Sequence, residues 1–264
     1  MSYRMIAVGH SDVGRQRQNN EDSFVVLNQN HLWILADGMG GHAAGQIASQ
    51  LAVDEIVRFL TQTIYEPNFR WPFEHDVRLN IEENALIHSI RTANVRIYNR
   101  SLKDPKCFGM GTTVIAAMYA QGRLWLASVG DSRCYRFRDH RLQQLTVDHS
   151  LYNHLVHQLK MTPHEAREKA GSNVIIRAVG LEDDVLVDVQ HTVVQDRDLY
   201  ILCSDGLTDL VSEQQIIHSV QQYRHQLDLL VQYLIDLANQ AGGTDNITVI
   251  AIETLANHTP PVTR

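Results

Sequence analysis

The sequence predicts an antiparallel α+β layered domain. Three observations lead there. Two helical patterns, a long run of strand patterns and two further helical patterns follow one another without the alternation that builds a parallel sheet. Near residue 112 the hydrophobic period changes from 3.6 to 2. Finally, the strand-like runs are short and are separated by Gly-, Asn- and Asp-containing turns. The chain of 264 residues fits one large domain with a sizeable core, which we place at residues 1–255 with a tail at 256–264.

Element by element, residues 3–9 read as a first strand, and residues 10–21 as a polar loop. Residues 23–27 and 31–36 form a hairpin around Asn28-Gln29-Asn30. After the Gly-rich segment 37–45, Ile47, Leu51, Ile56 and Leu60 recur at helical spacing. Residues 65–76, with two prolines and several aromatics, read as a loop insertion. A second long helix is expected over residues 81–101. Residues 112–119, 123–129 and 133–138 then read as three antiparallel strands, turned at Ala120-Gln121-Gly122 and Gly130-Asp131-Ser132. Residues 149–170 are polar and helix-like, with a helix start at Thr162-Pro163. Residues 185–194 and 198–203 read as another strand pair, 205–210 as the opening of a helical region, 227–239 as an amphipathic helix and 246–252 as a last strand.

Composition removes several function classes. A net charge of -7 without any Lys/Arg-rich run argues against a nucleic-acid partner. No run approaches the roughly 20 apolar residues of a membrane span, and residues 1–8 do not lead into a signal-like apolar region, so a cytoplasmic protein without membrane insertion is expected. Cys107, Cys134 and Cys203 form neither a CxxC nor a zinc spacing and are expected to be reduced core thiols. None of the fourteen histidines falls into HExxH.

The chemical signal is acidic and lies at strand ends. Glu21-Asp22 precedes a strand, Asp37-Gly38 and Asp205-Gly206 each follow one, and Asp245-Asn246 precedes the last; Asp131 sits in a strand-to-strand turn. Any one of these Asp residues is explained as well by a turn or helix cap. As a set, however, they form an all-oxygen site without His or Cys, suited to Mg²⁺ or Mn²⁺ rather than Zn²⁺. Converging carboxylates repel, so the cluster itself implies bound cations.

Six segments then occur in one order: Arg17-Gln18-Asn19-Asn20-Glu21-Asp22-Ser23, Asp37-Gly38-Met39-Gly40-Gly41-His42, Gly111-Thr112-Thr113, Gly130-Asp131-Ser132-Arg133, Ser204-Asp205-Gly206-Leu207 and Thr244-Asp245-Asn246-Ile247-Thr248. In this order they resemble the motifs of the metal-dependent protein phosphatases (the type 2C protein phosphatases), in the bacterial branch. The resemblance implies a four-layer α-β-β-α sandwich of two antiparallel sheets flanked by helix pairs. It implies a serine/threonine phosphoprotein phosphatase with two tight Mn²⁺ or Mg²⁺ sites. In that frame Asp37 bridges the metals, the Gly38 carbonyl binds one, Asp205 and Asp245 hold the second, and Glu21 and Asp22 act directly or through water. Arg17 grips the substrate phosphate, and Asp131 with Asp205 holds a third, weaker metal. Residues 149–172 resemble the family's flap beside the active site, although Gln158-Leu159-Lys160-Met161 lacks the Gly often found there. Met39 stands where many eukaryotic members carry a His general acid, so the resemblance implies that a metal-bound water or another group protonates the leaving oxygen, with His42 as one candidate. The implied partners are a phosphorylated Ser/Thr protein, an opposing bacterial kinase and, in type VI secretion control, a forkhead-associated protein; a monomer is the family expectation.

Other readings fare worse. Gly38-Met39-Gly40-Gly41-His42-Ala43 fits a dinucleotide fingerprint, but Asp54 and Glu55 fall inside a helical pattern instead of ending a second strand. Asp196-Arg197-Asp198 precedes its apolar run and reads as a turn. The positions six residues after the three cysteines hold Thr113, His140 and Asp209, where a cysteine phosphatase needs Arg. A non-catalytic phosphoprotein-binding scaffold of the same fold is the alternative, and the full carboxylate set argues against it.

Overall fold

The computed structural model describes residues 3–41, 44–66, 68–170 and 174–256. Its described strands form two antiparallel sheets. The six-stranded sheet contains β2 (Asp22–Leu27), β3 (Leu32–Met39), β4 (Gly111–Thr112), β5 (Val114–Ala120), β6 (Arg123–Val129) and β9 (Asp188–Val193), in the order β2-β3-β5-β6-β9 with β4 paired to β3. The five-stranded sheet contains β1 (Tyr3–Asp12), β7 (Arg133–Arg138), β8 (Arg141–Gln144), β10 (Leu199–Cys203) and β11 (Ile247–Ala256), in the order β1-β11-β10-β7-β8. Helices α1 (Ala44–Thr61) and α2 (Ile81–Lys103) cover the first sheet. The short α5 (Asp205–Thr208), then α6 (Glu213–Tyr223) and α7 (Leu227–Gln240), cover the second. Helices α3 (Leu151–His157) and α4 (Pro163–Ala170) form a separate pair. This is the four-layer sandwich that the sequence led us to expect.

The apolar runs in the sequence are continuous because each sheet is covered on both faces. On β3, Leu32, Ile34 and Ala36 pack under α1 and α2, whereas Trp33 and Leu35 enter the layer between the sheets. On β10, Leu199, Ile201 and Cys203 face α5–α7, and Tyr200 and Leu202 face inward. Strand β11 divides the same way, with Val249 and Ala251 outward and Ile250 and Ile252 inward. The turn residue Asn28 ties the layers: its Oδ1 accepts from Trp33 Nε1 at 3.1 Å and from the Ala7 N–H at 3.0 Å, while its Nδ2 donates to the Ala7 carbonyl at 3.0 Å. All three cysteines are buried and free. Helix α4 starts as its sequence indicates, with Pro163 in the first turn, Glu165 N–H donating to Thr162 Oγ1 and the Glu165 carboxylate accepting from Thr162 N–H at 3.0 Å.

Two expectations are corrected. Gly130-Asp131-Ser132 is not a hairpin turn, because β6 lies in the six-stranded sheet and β7 in the five-stranded one; the segment carries the chain from one sheet to the other. Residues 185–194 and 198–203 are likewise not partners, since β9 pairs with β6 and β10 pairs with β7 and β11. Nothing local in these strand patterns specifies which sheet each strand joins. Strand β8 was not anticipated, and the polar segment 149–170 holds two helices, the second starting at the expected Thr162-Pro163. Among the described residues no helix is long and apolar enough to cross a membrane.

The return from β9 to β10 depends on a buried ion pair. Asp198, fully buried, accepts from Arg138 Nε at 2.6 Å, from the Gln195 N–H at 2.8 Å and from Tyr200 Oη at 3.0 Å. Removing one member of such a pair strands the other charge, so Asp198→Ala should cost about 3–5 kcal/mol of unfolding free energy. Urea denaturation measures this directly, and a loss under about 1 kcal/mol would show that Arg138 finds solvent instead.

Candidate active site

Strand ends from both sheets bring the predicted acidic residues to one end of the sandwich. Asp22 opens β2 directly opposite Asp37 on β3. Asp205 follows β10, and Asp245 and Asn246 precede β11. Asp131 comes from the crossing between the sheets. Glu21, just before β2, accepts the Gly38 N–H on its carbonyl at 3.1 Å. The backbones meet so closely that a side chain would not fit: a Cβ on Gly38 would lie 2.1 Å from the Gly45 carbonyl oxygen, and one on Gly206 would lie 2.0 Å from that of Asn246. These glycines are therefore required by contact between the strand end and the start of α1, and between α5 and the start of β11.

Polar side chains hold the acidic residues in place. Asp22 Oδ2 accepts from Thr248 Oγ1 at 2.6 Å and from Ser204 Oγ at 3.0 Å. The Asp37 backbone is gripped on both sides: its N–H donates to Thr113 Oγ1 at 3.1 Å, and its carbonyl accepts from the Thr113 N–H and from Thr112 Oγ1, each at 2.8 Å. Asn246 is the central brace. Its Oδ1 accepts from the Glu21 N–H at 2.8 Å, and its Nδ2 donates to the Val13 and Asn19 carbonyls, each at 2.9 Å. Sequence reasoning quoted Thr112, Thr113, Ser204, Asn246 and Thr248 within motifs but gave them no role. Ser204 and Asn246 stand next to Asp205 and Asp245 in the sequence, whereas Thr112 and Thr113 are 75 and 76 positions from Asp37.

Burial and mutual repulsion dominate the electrostatics. Asp22 is pushed up to about 7 by burial, with the Asp205 and Asp245 charges adding to it against the hydrogen bonds from Thr248 and Ser204. Asp37 is raised well above the carboxylate range by burial, then by Asp22, Asp205, Asp245 and Asp131. Burial, then Asp205 and Asp148, lifts Asp131 to about 7; burial, then Asp209 and Asp245, lifts Asp205 to about 6. Glu21 is also raised by burial, partly offset by Arg17. Three of these buried carboxylates keep an oxygen without a hydrogen-bond partner, namely Asp22 Oδ1, Asp131 Oδ1 and Asp205 Oδ1. Oxygens so placed fit divalent cations, which would supply the missing contacts and cancel the repulsion. Among the described residues no three His, Cys, Asp or Glu side chains close a ready cage. Such a cage is not needed by Mg²⁺-type ions, which keep several waters and bind through one or two carboxylates.

The remaining expected residues are placed as follows. Arg17 Nη2 donates to Asp245 Oδ2 at 2.6 Å, and the Arg17 side chain is 54% exposed. The guanidinium thus reaches the acidic cluster from its solvent side. Asp245 Oδ1 accepts the Asn246 N–H at 2.8 Å. Met39 closes β3 against Gly111. His42 lies outside the described residues, as do residues 171–173 at the end of the flap. The described part of the flap walls a cleft of about 310 Å³, lined by Tyr152, Arg167 and Val174 on the flap side and by Asp131, Asp205 and Asp209 on the other.

The raised carboxyls fix the sign of a pH effect. Between the unfolded value near 3.9 and the folded values near 6 to 7, the native state holds more protons than the unfolded chain, so stability of the metal-free protein falls as pH rises through that window. After chelation, the melting temperature should be several degrees lower at pH 8 than at pH 5.5, and Mn²⁺ should raise it more at pH 8. Equal melting temperatures at both pH values would mean that the cluster is not electrostatically strained.

Residues 9–234 match the family model described as protein phosphatase 2C. The serine/threonine phosphatase stp of Listeria monocytogenes serotype 4b is 37% identical over 254 residues, spanning 94% of this chain and 96% of that protein. The solved catalytic domain of the serine threonine protein phosphatase PstP, in complex with two manganese ions, superposes with a TM-score of 0.77 at 34% identity, covering 97% of this chain and all of that one. PppA of Pseudomonas aeruginosa, described as a key regulatory component of its type VI secretion system, superposes with a TM-score of 0.78 at 26% identity, covering 96% of this chain and 100% of the other. A sandwich of two antiparallel sheets with buried carboxylates at one end, matched along nearly its whole length, establishes that the chain belongs to the protein phosphatase 2C family, in the bacterial branch of the metal-dependent serine/threonine phosphatases.

Proposed function

We propose that this protein dephosphorylates a serine- or threonine-phosphorylated protein and thereby opposes a bacterial serine/threonine kinase. The observation that carries the reading is the set of buried acidic residues with unpartnered oxygens, of which Asp131 and Asp205 line a cleft, with Arg17 reaching the cluster through Asp245. Asp37, Asp205 and Asp245, with Glu21, Asp22 and the Gly38 carbonyl, would hold two Mn²⁺ or Mg²⁺ ions, and Asp131 with Asp205 a third, weaker one. When bound, the ions would supply an activated water and stabilise the charge on the phosphoryl oxygens. The chain's residues prepare for that chemistry. Ser204 and Thr248 occupy one oxygen of Asp22 and leave the other for a cation. Arg17 offers a planar fork to a phosphate, with Asp245 as its resting partner. Met39 has no proton to give, so the leaving serine or threonine oxygen must be protonated from another source in the cleft.

A cytoplasmic monomer is the setting we infer. The likeness to PppA favours one more specific reading, in which the substrate belongs to type VI secretion control and is a kinase or a forkhead-associated protein. A scaffold that binds phosphoproteins without turnover would have no need for so many strained carboxylates.

Hydrolysis of p-nitrophenyl phosphate and of a phosphothreonine peptide tests the reading. Activity should require Mn²⁺ or Mg²⁺ and vanish with EDTA, and Asp37→Ala, Asp205→Ala and Asp245→Ala should each lower kcat by at least ~10³. Turnover that survives exhaustive chelation would exclude the metal-dependent mechanism.

Arg17→Ala should behave differently, because the guanidinium contacts phosphate in the ground state as well as the transition state. A raised KM is expected, with a smaller loss of kcat than for Asp37→Ala. If KM on the phosphopeptide is unchanged, Arg17 serves only its ion pair with Asp245.

A further inference from the structure

His149 stands at the root of the flap, and its side chain is only 7% exposed. It holds both backbone groups of Gly130. The Gly130 N–H donates to His149 Nδ1 at 3.0 Å, and the His149 N–H donates to the Gly130 carbonyl at 2.9 Å. Because Nδ1 accepts, the proton of the neutral ring is on Nε2. Nε2 lies 3.1 Å from Asp188 Oδ2. Arg177 Nη1, 3.0 Å from Nε2, is also a donor, so it does not bond the ring; it donates to Asp188 Oδ1 at 2.7 Å. Asp188 thus accepts from both and orients the imidazole. Asp188 in turn is paired with Ser128 on β6, two residues before Gly130. The linkage therefore closes on itself: β6 to β9, Asp188 to His149, and His149 back to the end of β6.

Asp131 is the next residue, and one of its carboxylate oxygens has no hydrogen-bond partner. Beyond it, Ser132 Oγ lies 2.8 Å from Thr113 Oγ1, the same atom that accepts the Asp37 N–H. The segment that carries Asp131 between the sheets is thus pinned on one side by His149 and on the other by Thr113. We propose that His149 is a positioning residue: its Nε2–H imidazole, oriented by Asp188, fixes Gly130 and so sets the direction in which Asp131 enters the cleft beside Asp205. The proposal rests on the reading of Asp131 as a ligand of the weak third metal. His149 does not touch the reacting atoms; it acts through Asp131.

Two substitutions separate the functions of the ring. Asn places its carbonyl oxygen near the position of Nδ1 and can still accept from Gly130, whereas Gln reaches the Nε2 position and leaves the Gly130 N–H without its acceptor. Metal-free protein would be titrated calorimetrically with Mn²⁺, and p-nitrophenyl phosphate kinetics followed at saturating metal. His149→Gln should weaken the weakest Mn²⁺-binding event by about 10-fold or more and lower kcat at unchanged KM, while His149→Asn stays within about 3-fold of wild type. In the Asp131→Ala background, His149→Gln should add no further loss of kcat, as required of two residues on one route. Equal effects of Asn and Gln, or losses that multiply in the double variant, would overturn the proposal. If Asp131→Ala leaves the weak binding event and turnover intact, the reading of Asp131 fails and this proposal with it. If Asp131→Ala abolishes that event and His149→Gln leaves it intact, only this proposal falls. Should His149→Gln not fold, Asp188→Ala removes the orienting carboxylate from a half-exposed position; it must weaken the same event, and an unchanged titration overturns the proposal.

Discussion

Repulsion among buried carboxyl groups is the constraint on which the rest of the structure depends. Asp22, Asp37, Asp131 and Asp205 stand close enough to raise one another's proton affinity, in surroundings that already penalise charge. Such an arrangement persists only if the scaffold is stiffer than the repulsion. Strand register supplies part of that stiffness, since Asp22 and Asp37 are fixed opposite each other by the full β2-β3 ladder. Side chains supply the rest: Ser204 and Thr248 hold Asp22 from the other sheet, and Asn246 holds Glu21. Metal ions would relieve the same strain, so proton binding and metal loading are alternative ways for one cluster to settle its charge.

The three apolar layers make that stiffness affordable. Each sheet is sealed by helices on its outer face and by the other sheet on its inner face. Burial of Trp33, Leu35, Tyr200, Leu202, Ile250 and Ile252 between the sheets stabilises the fold by roughly 1.5–3 kcal/mol per aliphatic side chain, and it is the sum over the layer that holds the strained carboxyls in place. The acidic residues sit at or just beyond the strand ends, where the packed layer stops. A site deeper in the sandwich would exclude a phosphoprotein, and one farther out would leave the carboxylates solvated and unstrained.

The elements and the acidic positions were legible in the sequence because each has a local signal. The continuous runs Leu32–Ala36 and Leu199–Cys203 mark strands buried on both faces, and Asp-Gly at or near their ends marks backbone forced into close contact. Strand partnership was not legible. Residues 198–203 and 185–194 are near neighbours in sequence, yet one strand joins each sheet, and only tertiary contact decides between them. The polar braces were hidden for the same reason. Ser204 and Asp22 are 182 positions apart, and Thr248 and Asp22 are 226 apart, so nothing local ties hydroxyl to carboxylate. Arg17 was legible as a cation for the site, but its resting partner Asp245 was not.

The flap follows a different rule from the sandwich. Its two helices enclose a core of their own, Leu155, Ala166 and Ala170, separate from the three main layers. Leu159, Val174 and Ile176 remain substantially exposed nearby. A unit with so little buried apolar surface opens at lower free energy than the sheets do. Its root is nevertheless firmly tied: Asn153 Nδ2 donates to the Asp148 carbonyl at 3.0 Å, the Leu151 N–H to the Val174 carbonyl at 2.7 Å, and Arg133 binds the Asp148 carboxylate. A lightly packed outer unit thus stands on a strong base, beside carboxylates held by both sheets. The base is also where the crossing segment of Asp131 is held, since the His149 N–H donates to the Gly130 carbonyl at 2.9 Å and the Gly130 N–H to His149 Nδ1 at 3.0 Å.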